Sequence, residues 1–142
     1  MIVIFEGPDA CGKTTLFKNV AKARKYKDTY IDRMFPSDIV YAMRRSDFET
    51  VDEKASQLIK FNHLFKPLYV FMTSDVSDIE KTLNERGEVF DSNDAEWQLS
   101  SYLNFYTSSI MKDCNKIIIN RSSHSLKKNV NPVIKKIKEY EK

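Results

Sequence analysis

One stretch constrains this chain more than any other: FEGPDACGKT, from Phe5 to Thr14. It spells G-x-x-x-x-G-K-T, with Gly7 and Gly12 at the two glycine positions, then Lys13 and Thr14. The chain holds only three glycines, and two of them stand where this signature needs them. The flanks agree. MIVIFE is a short apolar run suited to a buried parallel strand, and TTLFKNVAKARKY carries Leu16, Phe17, Val20 and Ala21 at helical spacing. Strand, glycine loop and helix in that order form the setting of a phosphate-binding loop.

The chemistry accounts for the spelling. Backbone N–H groups of residues 10 to 14, at the positive end of a helix, are placed to point at an anion. Gly7 and Gly12 let the backbone curl around phosphates where a Cβ would intrude. Lys13 is expected to reach the β- and γ-phosphates, and the Thr14 hydroxyl to hold Mg²⁺. The expected nucleotide-phosphate site is Gly7, Asp9, Ala10, Cys11, Gly12, Lys13, Thr14 and Thr15.

At 142 residues there is room for one core, and the expectation is a single domain over residues 1–142. The alternation of strand-like and helix-like segments predicts an α/β fold. Four parallel strands are expected, ordered 28–33, 1–6, 66–74, 115–120, with helices on both faces. ETVDEKASQLIKFNHLF reads as an amphipathic helix with Val51, Ala55, Leu58, Ile59, Asn62 and Phe65 along one side. Trp97, Tyr102, Phe105, Tyr106 and Ile110 recur at helical spacing and are read as core. Asn131-Pro132 is expected to cap and open the closing helix.

Net charge is +3, with the basic excess in the tail SLKKNVNPVIKKIKEYEK. A solvated helix face explains that tail more simply than nucleic acid does, although nucleic acid stays open. The two cysteines, Cys11 and Cys114, form no metal or redox spacing. A reduced, cytoplasmic chain is the expectation, with Cys11 a reactive-thiol candidate because a helix N-terminus lowers a thiol's pKa. No signal peptide and no apolar run of spanning length is read in the sequence.

A second constellation follows the second strand. Asp32-Arg33 is expected at its carboxyl end, on the same sheet edge as the loop. A carboxylate there can bind Mg²⁺ or take a proton, and an arginine can grip a second phosphate with two parallel bonds. DRMFPSDIVY continues as D-R-x-x-x-S-x-x-x-Y. Taken with FEGPDACGKTT, this segment resembles the thymidylate kinase and deoxynucleoside kinase group of P-loop kinases. PLYVFMTSDVSDIEKTLNERGE is similar to that group's next strand and helix, which end in an arginine-bearing lid. The chain looks like a shortened, phage-like member, with little between its first helix and DTYIDR and with Arg86 standing alone in the lid.

The resemblance implies a three-layer kinase fold and transfer of a phosphoryl group from ATP, with Mg²⁺, to a deoxynucleoside monophosphate. It implies Lys13, Asp32, Arg33 and Arg86 as catalytic residues and Thr14 and Asp32 at the metal. Arg33 would hold the acceptor phosphate, Asp9 would approach the sugar 3′-hydroxyl or the acceptor side, and Tyr41, with Ser37 on the same segment, would line the deoxyribose side. Two alternatives stay open. One is a kinase acting on a nucleoside or polynucleotide 5′-hydroxyl, with Asp32 as base. The other is a nucleotide-binding regulator without turnover. The expected partners are nucleotides, with no membrane; a homodimer stays open.

Overall fold

The computed structural model describes residues Met1 to Lys142. Its strands are β1 (Ile2–Glu6), β2 (Thr29–Asp32), β3 (Leu68–Thr73) and β4 (Asn115–Asn120). Its helices are α1 (Lys13–Ala23), α2 (Phe35–Arg44), α3 (Phe48–Phe65), α4 (Val76–Glu85), α5 (Ser92–Thr107) and α6 (Leu126–Tyr140). A single 3₁₀ turn, Ser109–Met111, links α5 to β4. The strands form one parallel sheet in the order β2-β1-β3-β4, which is the expected order. Because all four strands run the same way, their carboxyl ends share one edge. Glu6, Asp32, Thr73 and Asn120 end there, and the loops that follow them meet.

Strand alternation divides the core. Val3 and Phe5 face one side of the sheet with Leu16, Val20, Val133 and Ile137, the inward residues of α1 and α6. Ile4 faces the other side with Ile39, Leu58, Tyr102 and Phe105 from α2, α3 and α5. Both faces of the central strands are covered, so β3 is buried along almost its whole length and reads as a continuous apolar run. No helix is long and apolar enough to cross a membrane.

Helix boundaries depart from expectation most at the closing helix. The closing helix begins at Leu126, with the Ser125 side chain accepting from the Lys128 N–H at 3.4 Å, and Pro132 lies inside it. Proline at that position removes one helical hydrogen bond. Pro132 is exposed, so water can satisfy the carbonyl it leaves free. The α3 stripe is also narrower than its periodicity suggests. Leu58 is fully buried, whereas Ile59 and Phe65 are 58% and 55% exposed. The helix packs mainly against one neighbour, α2, and one neighbour covers only part of a wide stripe. Of the α5 aromatics, Tyr102 and Phe105 are buried, while Trp97 and Tyr106 pack against the core from its margin. Helix α4 ends as expected: Arg86 caps it and Gly87 follows at φ +70°.

Candidate functional site

The loop from Gly7 to Gly12 crosses the sheet edge and feeds α1. Gly7 has φ +148°, and a Cβ there would lie 2.7 Å from the Met72 carbonyl oxygen of the neighbouring strand. Only glycine lets β1 leave the sheet so close to β3. Gly12 opens α1 at φ +82°, and the helix starts without a side-chain cap. Its first-turn N–H groups are thus left for a ligand. Lys13 is largely buried, with its Nζ 3.7 Å from Asp32 Oδ1. Thr14 and Thr15 are exposed on the cavity wall.

Register brings the second constellation alongside. Phe5 pairs with Asp32, so the turn after β2 lies against the start of the loop. Arg33 sits there in a left-handed conformation, φ +62°, its own N–H bonded to the Phe5 carbonyl at 2.9 Å. A non-glycine residue held in that region at a cleft is a common form of functional strain. Its Nη2 donates to the Gly7 carbonyl at 3.2 Å and to the Asp9 carboxylate. Burial disfavours the guanidinium's charge, but Asp9 outweighs this and the pKa is raised. The Arg33 Nε is buried without a hydrogen-bond partner. Such a donor is costly to leave unmade, and an oxygen supplied by a ligand would satisfy it.

Beneath Arg33 lies Glu6, fully buried at the end of β1. Its Oε1 accepts from the Met34 N–H at 2.7 Å, and its Oε2 is bonded to the Ser37 hydroxyl, which stands 2.7 Å from the Tyr102 hydroxyl. Burial pushes the Glu6 carboxyl up to about 8; the bonds from Ser37 and Met34 and the charges of Arg33 and Lys13 pull the other way. Burial thus favours the neutral form of the carboxyl, set against the bonds it accepts from the Met34 N–H and the Ser37 hydroxyl. Ser37 is buried and its hydroxyl is committed to this chain. Tyr41 is half-buried, with its hydroxyl 3.4 Å from Gln98 Oε1.

Two cavities meet at Arg33. The larger, about 630 Å³, runs over the loop and is closed by α4, α5 and the segment between them. Asp9, Asp32, Glu88, Asp91 and Asp94 line it against Lys13, Arg33 and Arg86, so carboxylates outnumber cations. Arg86 stands exposed on its far rim. The second cavity, about 590 Å³, opens between α2 and α3. There the balance reverses: Arg33, Arg45 and Lys54 face a single acid, Asp38, and Ser37 and Tyr41 complete the wall.

The donor set in the larger cavity suits Mg²⁺. Thr14 and Asp32 offer hard oxygen ligands at the loop, and no cluster of three or more His, Cys, Asp or Glu forms a closed cage. Mg²⁺ typically takes one or two protein oxygens and completes its shell with water and substrate phosphates.

Cys11 is a correction. It is 1% exposed, and its sulfur is turned into the core beside Gly7 rather than toward the cavity. Burial pushes the thiol up, and the nearby Lys13 charge offsets this only in part. The helix N-terminus does not make it reactive.

Two residues escaped the sequence reading. Gln98, on α5, accepts from the Asp9 N–H at 2.9 Å and donates to Asp94 at 2.9 Å, bracing the loop against α5. Arg121 follows β4 and reaches across the loop. It donates to the Ala10 carbonyl at 2.7 Å and to the Thr82 hydroxyl of α4, also at 2.7 Å. It thereby ties the loop to the helix that carries Arg86. No periodicity or motif marks either residue; only topology brings them to the edge.

Comparisons with known proteins bear on the fold. No family model matches the chain. The SPbeta prophage-derived uncharacterized protein YorR of Bacillus subtilis (strain 168) is 26% identical over an alignment of 117 residues, covering 63% of this chain and 71% of that one. Among solved structures, the deoxyadenosine kinase of M. mycoides, determined with bound dCTP, superposes with a TM-score of 0.70. The match covers 98% of this chain and 100% of that one at 12% identity. The chain thus has the fold of a P-loop deoxynucleoside kinase.

Proposed function

We propose that the protein is a P-loop kinase that transfers the γ-phosphoryl of ATP to a deoxynucleoside monophosphate. One observation carries the reading: Arg33 is shared by an acid-lined cavity over the loop and a basic cavity beside it, and its buried Nε lacks a partner. The first cavity suits a polyphosphate complexed with a metal, and the second an acceptor that brings its own negative charge. The kinase fold and the distant likeness to a deoxyadenosine kinase support the reaction class.

In this mechanism the backbone of residues 10 to 14 and Lys13 hold the donor phosphates, while Thr14 and Asp32 would hold Mg²⁺. When bound, Mg²⁺ would neutralise charge on the donor phosphates. Arg33 orients an acceptor phosphate oxygen toward the γ-phosphorus. The bond from that oxygen to phosphorus forms as the bond to the β–γ bridging oxygen breaks, leaving ADP and a diphosphate. A phosphate dianion gives up no proton, so no strong base is required. Catalysis is positioning and electrostatics, with Arg86 on the rim to meet the transferring charge. Asp9, Ser37 and Tyr41 shape the acceptor side.

A second reading, transfer to a hydroxyl, draws support from the pairing of Asp9 with Arg33, which already neutralises the guanidinium. Asp32, half-exposed at the cavity, would then take the hydroxyl proton. The test is ATP-to-ADP conversion against a panel of monophosphates, nucleosides and a 5′-hydroxyl oligonucleotide. Turnover with monophosphates is expected. Turnover only with nucleosides or the oligonucleotide selects the second reading, and Lys13-dependent nucleotide binding with no product from any acceptor would leave a regulator.

A further inference from the structure

The charge of this chain is sharply segregated. Residues 13–28 and 121–142 hold thirteen lysines and arginines against three acids, net +10; the rest holds ten against seventeen, net −7. The first group is α1, α6 and their flanks, and these two helices pack side by side on one face of the sheet. The three acids of this layer are occupied: Asp28 and Glu141 bind Arg24, and Glu139 binds Lys136.

Periodicity shows where the free lysines point. Lys18 and Lys22 lie one turn apart on α1, opposite the inward residues Leu16, Val20 and Ala21, and Lys25 follows in the left-handed turn just beyond the helix. Lys128, Lys135 and Lys138 form a second row, opposite Val130, Val133 and Ile137. All six are exposed and none is in a salt bridge. Both rows therefore look away from the sheet, on the side opposite the α2–α3 cavity. Parallel rows on packed helices lie about 8–10 Å apart, and the row on α6 runs about 15 Å from Lys128 to Lys138.

We propose that the α1–α6 face binds the sugar-phosphate backbone of double-helical nucleic acid. The row spacing is of the order of a duplex groove, about 6–12 Å, so each row can follow one backbone. Lysines without arginines suit sequence-independent phosphate contacts. An anionic membrane is the poorer partner, since Val130, Val133, Ile134 and Ile137 are turned into the core, and the exposed Leu126 and Tyr140 stand at the two ends of α6 rather than in a stripe. The inference is independent of the kinase reading.

The test is fluorescence anisotropy with a labelled duplex of about 24 base pairs, from about 50 to 200 mM salt. Binding is expected at the low end, with a log–log salt slope of about −5 if six phosphates are neutralised. The triple variant Lys22→Glu, Lys135→Glu, Lys138→Glu should bind at least about tenfold more weakly, with a slope shallower by about 2–3. Replacing the same three by arginine should retain binding, as should Lys60→Glu, Lys81→Glu, Lys112→Glu on other faces. Circular dichroism checks that each folds; if the first triple does not, single Lys22→Gln and Lys138→Gln variants, each shallower by about 1 in slope, take its place. No binding at low salt, equal loss in both charge-reversed triples, no loss in the Gln variants, or tighter binding to a single strand or to phosphatidylserine vesicles would overturn the proposal.

Discussion

The two cavities that meet at Arg33 are similar in volume and opposite in charge. The acid-lined one sits at the end of a helix whose N–H groups already favour anions, and its carboxylates would repel a bare polyphosphate. It becomes favourable to a polyphosphate once a divalent cation is counted. The basic one has no loop of N–H groups and relies on side-chain cations. The contrast teaches that net charge along a wall says little about the ligand until the metal and the backbone dipoles are included.

Substitutions can break this contrast, and the largest effect is expected in the acid-lined cavity. Lys13→Ala should lower kcat about a hundred- to a thousand-fold, the usual cost of one preorganised electrostatic contact, with circular dichroism unchanged. Wild-type turnover in that variant would remove the loop from the mechanism. Asp32→Asn should lower kcat about ten- to a hundred-fold and shift the Mg²⁺ dependence to higher concentration. A rate loss at saturating acceptor with an unaltered Mg²⁺ titration would assign Asp32 elsewhere.

At the junction, the expected effect is smaller and more selective. Arg33→Lys should raise KM for a monophosphate about tenfold while that for ATP moves little, because lysine keeps the charge and loses the planar fork. Equal changes in both constants would mean that the two cavities do not divide the substrates.

The smallest effect concerns Glu6, which underlies the junction. Its folded pKa is raised, so between the ordinary carboxylate range and about 8 the folded state holds a proton that the unfolded chain has released. Stability from this group is complete below that window and falls as pH rises through it. The thermal midpoint should decline from about pH 5 to pH 8 and level off above. Glu6→Gln, which keeps the shape without the titration, should flatten that decline. The same slope in both proteins would place the proton elsewhere.

Much of this was legible in the chain. Gly7, Gly12, Lys13 and Thr14 mark the loop because their chemistry requires fixed residues at fixed offsets, and the strand order followed from a crossover rule that is nearly handedness-invariant. Local signals failed where several elements compete for one surface. Ser125 rather than Asn131 opens α6 because an exposed proline is tolerated inside a helix. Cys11 is inert because the packing between β1 and β3 decides which way its sulfur turns. Nothing local flags Gln98, Arg121 or the proton on Glu6, since each depends on residues far away in sequence. The lysine rows make the same point: α6 read alone is a solvated helix, and only its place beside α1 makes a face. The loop, the α/β class and the strand order could be read from the residues alone, since these rest on short-range stereochemistry and chain handedness. The tertiary structure decided which charges share a cavity, which donors stay unpaired and which face is basic, because electrostatics and burial depend on distances between elements that local sequence does not encode.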